Sequence, residues 1–156
     1  MSEPQTVPGR QIVRVQLIAT MTFAVTAVYA AVVFDTTAQW VGAITAMALF
    51  ASGVAAFLWA FWTAIQRSRT EEISVTQLFL LAGPPTPAAV RRPMLLALVT
   101  QTVVAVATTM ARPNGPNGSP GSSLAVGFLV PMLGLGLNGL WASAHGRFEE
   151  RRLKEE

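Results

Sequence analysis

Gly134-Leu-Gly136-Leu-Asn138-Gly139 has the spacing of a dinucleotide-binding fingerprint. In that motif a strand feeds a glycine turn, and the next helix points its N-terminus at a pyrophosphate. Here the glycines sit inside a long apolar run, without the soluble strand–helix–strand unit that the motif needs. In that setting they read as small residues that let helices approach closely. His145 is the single histidine, and Glu149 and Glu150 follow it. Such groups serve acid–base chemistry on lipid at a membrane surface when their geometry is fixed. At the end of an apolar run, His145 reads more simply as a solvated helix-end residue. The chain has no cysteine. Thiolate, disulfide, iron–sulfur and cysteine–zinc chemistry are therefore closed to it. A metal site on His145 would need carboxylate partners that the apolar runs do not provide. No catalytic, cofactor-binding or metal-ligating residue is assigned, and the chain is expected to be no enzyme and to need no cofactor.

What remains are uncharged polar groups within apolar runs. Gln101, Thr102, Ala105, Thr108 and Thr109 are expected to share one small, polar face. Gly127, Pro131, Gly134 and Asn138 form a second such stripe, and Gln16, Thr20, Ala24, Ala27 and Ala31 a third. An amide left bare in lipid costs several kcal/mol, so these faces are expected to meet. The candidate residues are Gln101, Thr102, Thr108, Gly134 and Asn138. Packing contacts between helices are one role for them, and a polar pocket is the other. No Asp, Glu, Lys, Arg or His lies deep in any run. Proton-coupled pumps and ion pathways usually carry one there.

The elements that must position these groups are four apolar runs, at about 15–34, 40–65, 94–111 and 124–143. About 20 helical residues cross a bilayer core. The composition agrees: 52% of residues are apolar, 12% are charged, and the mean hydropathy is +0.47. A soluble domain carries about 25% charged residues. The expected fold is all-α: a polytopic membrane protein with four transmembrane helices. Residues 1–14 are expected to be a disordered tail, 15–144 the membrane domain, and 145–156 a charged tail. Val28-Tyr29-Ala30 resembles a signal-peptide cleavage site, but the first run continues past it, as an anchor does. Trp40 and the Trp59/Trp62 pair mark the two ends of the second run at headgroup level. Pro131 is expected to kink the fourth.

The connection 66–93 holds Ser74 and Gln77 at capping-box spacing, with Gly83-Pro84 as a stop. It predicts a short interfacial helix over 75–82, with a short strand near Ile73 as the alternative. Thr86-Pro87 looks like the start of a second short helix, with Pro93 opening the third span. The loop 112–123 is rich in turn residues. Glu150 and Lys154 stand at helical pairing distance in the tail, which reads as a solvated helix end or, less simply, a docking segment. Asp35 and Arg112 read as independent charges rather than a pair.

Charge orders the threading. Arg10, Arg14, Arg67, Arg69, Arg91, Arg92, Arg147, Arg151, Arg152 and Lys154 fall on one side of the four spans, and Arg112 alone on the other. That is the positive-inside pattern of a multi-pass bacterial inner-membrane protein with N- and C-termini in the cytoplasm. The net charge of +3 is thereby explained by topology, without nucleic acid.

With Ile73–Gly83, the Val90-Arg91-Arg92 entry and the stretch Val130-Pro-Met-Leu-Gly-Leu-Gly-Leu137 in view, the chain resembles small four-span integral membrane proteins of high-GC actinobacteria that have no assigned function. The resemblance implies location and architecture and carries over no site residue. The expected function is an accessory or assembly subunit in the lipid bilayer. It would act by helix packing with itself, as a homo-oligomer, or with a membrane-protein partner. A small oligomeric transporter of an uncharged or hydrophobic solute is the alternative, and a lipid-modifying enzyme using His145 with Glu149 or Glu150 is a third possibility.

Overall fold

The computed structural model describes residues 8–151. It is all-helical apart from one small ladder. Helix α1 is Arg10–Val33, α2 is Thr36–Arg67, α3 is Val75–Phe79, α4 is Ala88–Ala111 and α5 is Pro131–His145. A 3₁₀ segment, Ser123–Leu129, leads into α5. Taking that segment and α5 together, four helices are long and apolar enough to cross a membrane.

Local chemistry sets the ends. Gly9 takes a left-handed φ of 67° before α1, and an added Cβ there would lie 2.5 Å from both Trp141 and His145. Only glycine meets both demands. The α1–α2 corner turns on Phe34, also left-handed, and on Asp35, whose carboxylate accepts from the Ala38 N–H at 2.6 Å. That cap starts α2 at Thr36, so residues 36–39, left between the first two expected runs, are its first turn. At 32 residues α2 is about 48 Å long at the α-helical rise. That exceeds the ~30 Å of a bilayer core, so crossing one would require it to tilt or protrude.

The kink expected near Pro131 is a change of helix type. Proline has no N–H to give to Gly127, and the chain before it winds as 3₁₀, with Val130 N–H bonding the Gly127 carbonyl at 3.0 Å. The other proline behaves differently. Pro93 does not open the third span: α4 runs unbroken from Ala88 through it. The separate short helix expected after Thr86-Pro87 is therefore the first turns of α4. The carbonyl that Pro93 leaves without a partner belongs to exposed Ala89, where solvent or headgroups reach it.

Helix α1 likewise begins earlier than expected, so Arg10–Arg14 belong to it and not to a tail. Residues 1–7 and 152–156 lie outside the described residues, and with them most of the two tails. The described part of the C-terminal tail is not helical. Glu149–Glu150 (β2) pairs antiparallel with Glu71–Glu72 (β1).

The Gln16–Met94 and Ala31–Arg112 hydrogen bonds show that α1 and α4 run parallel. The described residues nearest the chain ends, together with the 68–87 connection, share one end of the bundle. The α1–α2 corner and the 112–122 loop share the other. Helix α5 is the innermost: 50% of the most apolar window of the fourth span is buried, against 17% in α2. The outward faces of α1, α2 and α4 carry Ile18, Met21, Val25, Ile44, Leu58, Leu96, Val103 and Met110, all exposed. Trp40, Trp59 and Trp62 are exposed as well, whereas Trp141 is fully buried.

Candidate functional site

Three of the polar stripes converge near the end of the bundle that holds the termini. Gln16 and Thr20 of α1, Gln101 of α4 and Asn138 of α5 are all buried. The Gln16 amide N–H group donates to the Met94 carbonyl at 3.0 Å and to Asn138 Oδ1 at 3.4 Å. Asn138 Nδ2 donates to the Phe79 carbonyl, the last residue of α3, at 3.0 Å. One turn further along, Gln101 Nε2 donates to the Thr20 hydroxyl at 2.7 Å, and that hydroxyl donates to the Gln16 carbonyl at 2.8 Å. The network thus ties α1, α3, α4 and α5 together. Two acceptors within it, Gln16 Oε1 and Gln101 Oε1, are buried without a partner.

The expected face on α4 is narrower than five residues. Gln101, Ala105 and Thr108 are buried, at i, i+4 and i+7. Thr102, about 100° around the helix from Gln101, is exposed and returns its hydroxyl to the Leu98 carbonyl at 3.1 Å. It stands apart from the other four candidates. Thr108 is turned inward, but its hydroxyl also serves its own helix, donating to the Val104 carbonyl at 2.8 Å.

The glycines of α5 each face a different neighbour. A Cβ on Gly134 would stand 2.8 Å from Gln101 Oε1 and from Leu98. On Gly136 it would collide with the backbone carbonyl of Gly53, and on Gly139 it would stand 2.6 Å from the Phe79 ring. The spacing that spells a nucleotide fingerprint is here a close-approach surface presented to α4, α2 and α3 in turn. No strand leads into it; a 3₁₀ segment does.

Helix α3 has the expected capping box: Ser74 Oγ accepts from Gln77 N–H, and Gln77 Oε1 accepts from Ser74 N–H. It ends at Phe79, before the anticipated Gly83-Pro84 stop, because Leu81 turns left-handed and buries its side chain completely. Its apolar side is docked into the protein. Leu78 and Phe79 are buried, and the Phe79 ring stacks on Phe57 of α2 at 4.3 Å.

Arg67 was legible in the sequence only as a topological charge, and it proves to be a hub. Its Nε and Nη2 hold both oxygens of Glu71, at 2.8 and 3.0 Å. Nη1 donates to the Ser143 carbonyl at 2.7 Å and Nη2 to the Gly146 carbonyl at 3.0 Å, which occupies acceptors at the end of α5. The guanidinium also lies over Phe148. A second clamp joins Trp141 Nε1 to the Pro8 carbonyl at 3.0 Å. At the opposite end, Asp35 caps α2 while Arg112 donates to the Ala31 carbonyl at 3.1 Å and covers the Phe34 ring. The two charges act independently.

His145 meets Trp141 edge-on and is half-buried, and Glu149 and Glu150 pair through their backbones in the ladder with exposed side chains. Among the described residues no three His, Asp or Glu side chains converge as a metal site would require. An open cleft of about 630 Å³ lies beside the ladder, lined by residues that include Glu71, Glu72, Gln77, Arg147 and Arg151. None of the five candidate residues lines it. No protein-family model matches the chain, and no curated protein or solved structure matches it significantly.

Proposed function

We propose that this chain is a non-enzymatic accessory or assembly subunit of the bacterial inner membrane, working through helix packing with itself or with a larger membrane complex. One observation carries the reading. The amide N–H groups of Gln16, Gln101 and Asn138 inside the bundle are spent on other side chains and on backbone carbonyls, while the outward faces of α1, α2 and α4 are apolar. Such a surface offers contact with lipid or with other membrane helices, where association rests on packing. The charge pattern supports a threading with both termini in the cytoplasm and α3 at the cytoplasmic boundary, its apolar side seated in the bundle.

The alternative, a small oligomeric transporter of an uncharged or hydrophobic solute, is favoured by the two unpartnered amide oxygens of Gln16 and Gln101. Mild-detergent purification separates the two. A stoichiometric membrane-protein partner supports the subunit reading. A homo-oligomer carrying a bound small molecule supports the transporter. Reporter fusions after Glu156 and within residues 114–122 test the threading, and a C-terminus active as an external marker overturns it.

A further inference from the structure

Residues 73–85 enter the bundle and leave it on the same side. Before them, Glu71–Glu72 pairs with Glu149–Glu150, and at their far end the Pro85 carbonyl accepts from the Arg147 N–H at 3.3 Å. Both limbs therefore start beyond the end of α5. Between them the chain dips inward. The Phe79 carbonyl meets Asn138, and the Phe79 ring lies on Phe57. At the helical rise these partners stand about 10 Å inside the end of α5 and about 15 Å inside the end of α2. Phe57 is also nearer the centre of the bundle than exposed Trp59 and Trp62, a residue type that favours headgroup level. Irregular backbone at such depth persists only where protein or water covers it.

Little holds this re-entrant segment down. Among the described residues, the Asn138–Phe79 bond is its only hydrogen bond to the four long helices. Leu81, with a φ of 52°, and exposed Gly83, with a φ of 77°, turn it back. Leucine rarely takes that conformation, and here complete burial of its side chain secures it. Open space lies on both sides. The cleft of about 630 Å³ runs along Ser74, Gln77, Pro84 and Pro85. A second groove of about 170 Å³ lies between Ile73, Val75 and Leu78 and the α2 residues Phe61 and Ile65.

Beneath the segment sits the polar network. Asn138 links the Phe79 carbonyl to Gln16, and Thr20 and Gln101 follow one turn further along. With the segment seated, Gln16 Oε1 and Gln101 Oε1 have no donor. Opposing terms therefore act on its position. The Phe79 stack and the burial of Leu78 and Leu81 favour the seated state. Relief of the Leu81 backbone and hydration of two bare amide oxygens favour a raised one.

We propose that residues 73–85 are a gate, which lifts from Phe57 and Asn138 and opens the Gln16–Thr20–Gln101 cluster to the cleft. What it admits is a small uncharged molecule carrying hydrogen-bond donors. The groups laid open are amide oxygens, and no charged side chain lies deep in any span to pair with an ion. The gate goes beyond the assembly reading. It is tested by access to the interior, so its failure leaves that reading standing.

The chain has no cysteine, so one introduced thiol reports without background. Thr20→Cys places a thiol in the cluster and Ala105→Cys places one in the other half of the bundle, both at buried positions. The full chain in lipid nanodiscs is treated with iodoacetamide, which is small, uncharged and an N–H donor. Alkylation is followed by intact mass. Thr20→Cys is expected to react at a measurable rate that rises on the order of 10-fold or more when Phe79→Ala is added, while Ala105→Cys changes less than about 2-fold. An unchanged rate at Thr20→Cys overturns the gate in favour of a fixed element. Equal rises at both positions overturn it in favour of general loosening. Should Phe79→Ala fail to fold, Phe79→Leu loses the ring stack but keeps apolar bulk. A rise confined to Thr20→Cys in that background supports the gate, and any other pattern rejects it.

Discussion

The half of the bundle next to the termini and the half next to the α1–α2 corner are built differently. In the first, amides cross between helices: Gln16, Gln101 and Asn138 fix α1, α4, α5 and the end of α3. Arg67 and Trp141 then lock the polar margin. In the second, contact rests on Phe23, Ala27, Ala46, Ala105 and Val130, then on Ala30, Ala38 and Leu124. Its interhelical polar bonds sit at the rim, where Ser123 donates to Gln39 Oε1 at 2.6 Å and Arg112 reaches Ala31. Small apolar residues let helices come close but tolerate sliding by a turn, since lipid is as apolar as they are. Directional bonds do not tolerate sliding. The first half therefore sets the register that the second half follows.

The largest expected effect lies where α5 meets α2. A Cβ at Gly136 would enter the Gly53 carbonyl, and one at Gly53 would stand 2.5 Å from the Leu133 backbone. Backbone facing backbone has little room to yield. Gly136→Leu is expected to cost about 3 kcal/mol, the upper end for overpacking. In the other half, a Cβ at Gly127 meets the edge of the Phe23 ring at 3.2 Å, which can tilt away. Gly127→Ala is expected to cost under about 1 kcal/mol. Thermal unfolding in one detergent compares them, and equal melting points would remove the asymmetry.

Next comes the amide network. Asn138→Leu strips the Phe79 carbonyl and the Gln16 amide of a partner, at an expected cost of about 2 kcal/mol. Gln16→Leu combined with it in a double-mutant cycle should show coupling on the order of 0.6 kcal/mol. Function should fall only as assembly falls. A variant that stays folded and assembled yet loses all activity would favour the transport reading over the packing one.

These two predictions draw on information of different visibility. The four runs were legible because a bilayer demands about 20 apolar residues in a row. The inward placing of Gln101 and Asn138 was legible because bare amides are costly in lipid. Ser74 and Gln77 announced their capping box. The Gly134–Gly139 spacing announced close approach, but only the folded chain shows that each glycine serves a different helix. Thr102 was misplaced because chemical similarity to Gln101 and Thr108 outweighed its 100° offset. The extent of α4 was hidden because Pro93 reads as a start signal, yet near a solvated helix end its missing bond is cheaply tolerated. Arg67 and the Glu71–Glu150 ladder were invisible: pairing two glutamate dipeptides contradicts strand propensity and charge alike, and it depends on contacts far apart in sequence.

Arg67→Gln tests that hidden part. It removes the hydrogen bonds to Glu71, Ser143 and Gly146 together. The side chain is 26% exposed, so solvent offsets much of the loss, and about 1 kcal/mol is expected. Hydrogen exchange should quicken at residues 143–151 and in β1 while the centre of the bundle keeps its protection. Unchanged exchange would mean that the ladder holds without its hub.

The smallest effect is expected in the 112–122 loop, and it sharpens the comparison from the other side. Gly118 has a φ of 71° with nothing within 4 Å of an added Cβ, so Gly118→Ala brings backbone strain and no collision. The cost is expected to be about 1 kcal/mol at most, and it should be local. The loop's own bonds, such as Gly115 N–H to the Ser119 carbonyl at 2.9 Å, join it to itself. Its attachment to the bundle comes through Arg112, which bonds the Ala31 carbonyl, and through Ser123, which bonds Gln39, on either side of the strained residue. Exchange should therefore rise within the loop while the melting temperature stays within about 4 °C of the unsubstituted protein, the most that such a loss implies in a chain of this size. A larger fall would show that the loop holds α4 against the 3₁₀ segment. The half of the bundle beside the α1–α2 corner would then have a register device of its own.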